Sequence, residues 1–62
     1  MIMNPKEIAK AKVKRIQDGY SAFAESSEMV RLIKRELSKL NLEVLVDETN
    51  IGSWFIPVEK HV

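Results

Sequence analysis

Few side chains in this sequence could do chemistry. The one histidine, His61, stands next to last, in a stretch where no neighbour would hold it for the positioned proton transfer that general acid–base catalysis requires. Ser21, Ser26, Ser27, Ser38 and Ser53 lie outside any nucleophile-elbow pattern and read as helix caps or solvated positions. There is no cysteine, so neither a thiolate nucleophile, a thiolate zinc site nor a disulfide is available. The carboxylates Glu43, Asp47 and Glu48 could meet a divalent cation, but they lack the ligand alternation of a calcium loop and read more simply as the acidic tip of a hairpin. Gly19 and Gly52 are isolated glycines with no phosphate-cradling repeat around them. The expectation is a protein without catalytic residues, metal or cofactor.

Charge carries more information. Residues 1–20 hold five cations and two anions, whereas residues 43–62 hold one cation and four anions, so the chain is polarised from +3 to −3 while its total is only +1. Lys6, Lys10, Lys12, Lys14 and Arg15 load the first segment, and Arg31, Arg35 and Lys39, spaced by four with Lys34 beside them, form a second basic row. Two such surfaces could neutralise phosphates, with Lys6, Lys10, Lys14 and Arg15 as the contacts of a small DNA- or RNA-binding regulator. A third bundle helix and an Asn or Gln pair for adenine edges, which a winged-helix reader would want, are missing.

The elements that position these groups follow from capping and periodicity. Asn4, Pro5 and Glu7 make a helix start, and Ala9, Val13, Ile16 and Tyr20 recur at helical spacing, which gives a basic amphipathic helix over about 5–18. Gly19 suits the left-handed residue that ends it, and Ser21 could cap the next; the competing reading keeps the helix running through Gly19 at a cost of about 1 kcal/mol relative to alanine. The second helix is expected over about 22–40, with Phe23, Ser26, Val30, Ile33, Leu37 and Leu40 approximating a heptad seam, and Asn41 ends it. The period then drops to two over 42–47 and 53–59, which predicts a hairpin in which Val46 opposes Trp54, Val44 meets Ile56 and Leu42 meets Val58. The intervening Asp47 to Gly52 is too long for a two-residue turn, with Asn50 and Gly52 available for positive φ. Pro57 puts its strand at an edge or at least turns its nitrogen away from any partner, and residues 60–62 form a loose tail. The fold class is α+β, helix–helix–hairpin, in one small domain.

That domain is short of interior. A chain of 62 residues buries only about 60% of the surface its unfolded form exposes. Yet 45% of its residues are apolar. In the expected register Leu45 and Phe55 oppose each other on the face that lacks Val44, Val46, Trp54 and Ile56, so both sides of the ribbon are apolar and one of them wants a second cover. A symmetric homodimer through helix 2 and the hairpin would supply it. The expected interface comprises Val30, Ile33, Leu37, Leu45, Trp54 and Phe55, with Lys10, Lys14, Arg31 and Arg35 adding charge complementarity. With 31% charged residues, no apolar run near a membrane span and no signal-peptide core, the protein is expected in the cytoplasm with no membrane partner.

The stretches Asp18-Gly19-Tyr20-Ser21-Ala22-Phe23-Ala24-Glu25 and Ile51-Gly52-Ser53-Trp54-Phe55-Ile56-Pro57 resemble the XtrA-like small proteins of Bacillus-type prophages. That resemblance implies a phage setting, in which miniature proteins block host machinery, including dimeric inhibitors of antiviral defence systems such as the Hachiman-type helicase–nuclease. The expected function is therefore a non-enzymatic interaction protein that binds and obstructs a host protein, with the nucleic-acid regulator as the alternative.

Overall fold

A computed structural model describes residues 4–58. The elements are α1 (Pro5–Gln17), β1 (Ala22–Ala24), α2 (Ser27–Leu40), β2 (Val44–Thr49) and β3 (Gly52–Pro57). The three strands form an antiparallel sheet in the order β1-β3-β2, and both helices pack on one of its faces, so the α+β class holds in two layers.

Helix α1 starts as its residues dictate: the Asn4 side chain accepts a hydrogen bond from the Lys6 amide at 2.9 Å, and Pro5 occupies the first turn, where a missing donor costs nothing. It stops at Gly19, whose φ of 96° lets its own amide reach the Ile16 carbonyl (3.0 Å) while the Tyr20 amide reaches back to Arg15 (2.9 Å). This is the paired-bond helix terminus that a left-handed residue makes possible. Asn41 ends α2 in the same way, with φ 55°, its amide on Ser38 and the Leu42 amide on Leu37. Both terminators are the ones expected from the sequence.

The second helix does not begin at residue 22. Residues 22–24 leave the expected helix and pair with β3, Ala22 opposite Phe55, Phe23 opposite Trp54 and Ala24 opposite Ser53. Ser26, not Ser21, is the cap, accepting from the Met29 amide at 3.1 Å. Phe23 and Ser26 therefore drop out of the expected seam, Leu40 is exposed, and Ile33 and Leu37 are the fully buried positions of α2. Alanine is a weak strand former, but at 22 and 24 its small side chain lets the helical layer approach the sheet, and both residues are buried.

The hairpin register also differs by one residue from expectation. Val46 opposes Phe55, Leu45 opposes Ile56, Val44 opposes Pro57 and Asp47 opposes Trp54. The turn is the cause. Strand β2 continues to Thr49 and β3 begins at Gly52, leaving Asn50 and Ile51 as a two-residue connection. Neither takes positive φ, so this is not one of the primed turns. Thr49 closes it, its hydroxyl donating to the Gly52 carbonyl (2.8 Å) and accepting from the Ile51 amide (3.3 Å).

Alternation along the strands then sorts the sheet into two faces. Ala22, Ala24, Val44, Val46, Ser53 and Phe55 face the helices; Phe23, Leu45, Asp47, Trp54 and Ile56 face away. Phe55, expected on the free side opposite Leu45, is fully buried at the centre of the core, against Ala9, Val13 and Ile16 of α1 and Ile33 and Leu37 of α2. Pro57 is likewise not on an edge strand, since β3 is central. The Val58 amide donates to the Glu43 carbonyl, which fixes the ladder parity and makes Val44–Pro57 a pair without mutual hydrogen bonds. The missing donor of Pro57 thus points toward the β1 side, past the end of that short strand. The expected loose tail, 60–62, lies outside the described residues.

Candidate functional site

The face of the sheet turned away from the helices is apolar. Phe23 and Trp54 meet across the β1–β3 pair, with ring centroids 4.8 Å apart and planes at 49°, an arrangement suited to aromatic attraction. Trp54 remains 42% exposed and Leu45, on the neighbouring strand β2, 60% exposed, while Ile56 is half-buried between the two. The Phe23 ring gets there by crossing Gly52. A Cβ built at residue 52 would come within 2.6 Å of the Phe23 ring and 2.5 Å of the Ala24 carbonyl oxygen, so only glycine lets β1 and its aromatic side chain sit so close to the start of β3.

Among the described residues nothing covers this patch, since both helices lie on the other side. Trp54 and Leu45 are the part of it that the sequence makes legible. The sequence hides Phe23 and Ile56, which the one-residue shift in register and the unforeseen strand β1 bring beside Trp54. The other expected interface residues do not join it. Phe55, Ile33 and Leu37 belong to the interior of the single chain, where no partner can reach them, and Val30 packs half-buried against the same core.

The expected electrostatic residues sit on the opposite, helical side. Lys10 and Lys14 of α1 and Arg31 and Arg35 of α2 are all exposed. Some of the neighbouring charge is already engaged: Lys14 lies 4.0 Å from Asp18, the Arg15 guanidinium stands 5.5 Å over the Tyr20 ring, and Lys39 contacts Glu36 at 3.2 Å. Exposed pairs of this kind add little stability. The result is a molecule with a basic helical side and an apolar sheet side flanked by the acidic hairpin. Among the described residues no three His, Cys, Asp or Glu side chains gather into a metal-binding group, and no helix is long and apolar enough to cross a membrane.

Comparison with known proteins corrects the resemblance to prophage proteins. The family model described as "YtzJ protein" matches residues 1–56. The uncharacterized protein YtzJ of Bacillus subtilis (strain 168) is 42% identical over 57 residues, which cover 92% of this chain and 90% of that protein. No solved structure matches. The two stretches that suggested XtrA-like proteins are ordinary parts of this fold, a helix terminator leading into a short strand and a hairpin strand, and neither the family nor the relative carries a phage link. The chain belongs to the YtzJ family.

Proposed function

We propose that this protein is a non-enzymatic contact module of the cytoplasm, which works by presenting the free face of its sheet to another protein and which first of all pairs with a second copy of itself. The observation behind this reading is the uncovered cluster of Phe23, Leu45, Trp54 and Ile56. A half-exposed tryptophan within a contiguous apolar cluster is the composition of a binding anchor rather than of a solvated sheet surface. A twofold axis through such a patch sets it against itself and leaves the basic helical sides outermost. The prophage setting and the inhibition of antiviral defence are not part of this reading.

Sedimentation at micromolar to millimolar concentration tests it. A mass rising toward twice 7.1 kDa is expected, and Leu45→Asp should return the protein to a folded monomer, because a carboxylate would be buried in the contact. A native protein that stays monomeric throughout would remove the dimer. A native protein that associates equally well with aspartate at position 45 would place the contact elsewhere.

The second reading, a nucleic-acid contact, draws on the two basic rows Lys6, Lys10, Lys14 and Arg31, Arg35, Lys39, which lie on helices that pack side by side. Phosphate binding of that kind weakens steeply with salt. Retention of duplex or single strands at low salt, lost on replacing Lys10 and Lys14 by Glu, would favour it over the protein contact.

A further inference from the structure

The two edges of the sheet are not alike. Strand β1 has three residues, and the Phe23 carbonyl is already occupied, accepting a hydrogen bond from the Lys12 ammonium at 2.7 Å. Strand β2 has six, and no described element pairs with its outer side. The ladder parity fixed by the Val58–Glu43 bond directs the odd-numbered residues of β2 toward β3, so the amides and carbonyls of Val44, Val46 and Glu48 point away from the sheet. Charged side chains, lysine above all, proline and bulges are the usual protection of such an edge; Val44–Thr49 has neither a lysine nor a proline, and its two charges, Asp47 and Glu48, leave Val44–Val46 unguarded.

We propose that β2 receives an extended, basic segment of another protein, which joins the sheet as a fourth strand. The inference rests on the reading of this protein as a contact module but concerns a different surface, the edge rather than the free face.

Room and charge specify the segment. At the start of the edge, on its helical side, an open groove lies between α2 and Val44, walled by Leu37, Leu42, Val44 and Val58 with Lys34, Ser38 and Glu43 on the rim, and it would take the inward side chain of an added strand that stands opposite Val44. On the other side Leu45 offers an apolar neighbour continuous with Ile56. From Glu43 to Val58 the sequence contains three carboxylates, Glu43, Asp47 and Glu48, and no Lys or Arg.

Read along the edge, the positions run acid, apolar, apolar, apolar, acid, acid from Glu43 to Glu48. An antiparallel partner that answers each position has two basic residues, three apolar ones and a final basic one. The β2 strand of a second copy answers these positions less well: with Leu45 opposite Leu45, Glu43 would face Asp47 on both sides of the axis, and with Val46 opposite Val46, Asp47 would face Leu45 and Glu48 would face Val44, so neither register gives the carboxylates a basic partner. Strand addition of this sort draws affinity from the main-chain bonds and selectivity from the alternating side chains.

The test uses the full chain labelled with nitrogen-15 and three synthetic peptides: acetyl-Lys-Lys-Val-Leu-Val-Lys-amide, its analogue with every Lys replaced by Glu, and its analogue with both valine nitrogens methylated. The lysine peptide should slow amide exchange at Val44, Val46 and Glu48 by about tenfold or more at saturation. The glutamate peptide should bind about tenfold more weakly or worse, a gap of about 1.4 kcal/mol, and the methylated peptide should give no protection. The double substitution Asp47→Lys with Glu48→Lys, both exposed, should reverse the preference between the first two peptides while leaving the spectrum of the core unchanged. Unchanged exchange at the three edge amides would overturn the proposal, whether the peptide leaves the protein untouched or perturbs only the Phe23–Trp54 face or the helices. Protection of those amides that grows with protein concentration in the absence of peptide would give the edge to a second copy and overturn it equally. Sedimentation of the chain without peptide, read together with exchange at these three amides, separates a dimer over the free face from one along the edge, so the two readings fail independently.

Discussion

The two faces of the sheet hold similar amounts of apolar side chain and use them in opposite ways. Toward the helices, Phe55 is fully buried beneath Ala9, Val13, Ile16, Ile33 and Leu37, with alanine at 22 and 24 to admit the helices closely. On the reverse, Phe23, Leu45, Trp54 and Ile56 share one face but stop at solvent. The first arrangement is a core; the second has the residues of a core without its cover. Burial rather than residue type therefore decides which apolar positions hold the fold together, and the faces should separate cleanly under substitution.

The largest effect is expected from Phe55→Ala. Truncating a fully buried phenylalanine removes about 3–5 kcal/mol, and a core of this size supplies about as much, so the variant should be largely unfolded at 25 °C by circular dichroism. A native-like spectrum with a cooperative melt would mean that the helical face is less essential than its burial indicates. Next comes Gly52→Ala, which acts on the free face but through the backbone. The new methyl group would meet the Phe23 ring and the Ala24 carbonyl, so β1 must shift or the ring must swing away. The expected loss is about 1–3 kcal/mol in urea unfolding, with quenching or exposure changes at Trp54 as the ring leaves it. Lys12→Met is smaller. It keeps the stem that packs near β1 and deletes only the bond to the Phe23 carbonyl, for an expected loss of about 0.5–1.5 kcal/mol and faster exchange along β1.

The same contrast explains what the sequence disclosed. Both helix terminators, the first helix with Ala9, Val13 and Ile16 of its expected stripe (Tyr20 lies past the helix end and is exposed), and the existence of the hairpin are local matters, written in Gly19, Asn41 and simple periodicity. Strand β1 is not local. Ala22-Phe23-Ala24 has helical composition, and it is drawn into the sheet only because β3, thirty residues on, offers an unpaired edge and Gly52 clears the way for Phe23. The turn hides the register: the six residues Asp47 to Gly52, five of them polar or small, read as a loop, while Thr49 folds them into a two-residue connection with its own hydroxyl. One residue of slip exchanges faces, which is why Phe55 was expected outside and lies inside, and why Phe23 and Ile56 went unrecognised as part of the free cluster.

The smallest effect on folding should come from Leu45→Ser, and it is the most informative about the free face. In a monomer this side chain is mostly in water already, so its loss should change the unfolding free energy by no more than about 0.5 kcal/mol. In a dimer closed over the cluster the same atoms would be buried, and stability would depend on concentration through mass action. Melting curves of the native chain and Leu45→Ser should therefore coincide when dilute and diverge as protein concentration rises, with only the native midpoint climbing. Curves that stay superimposed across the range would show that nothing closes over Leu45, whereas a large gap at the lowest concentration would show that Leu45 supports the single chain and that the two faces are less different than their exposure makes them.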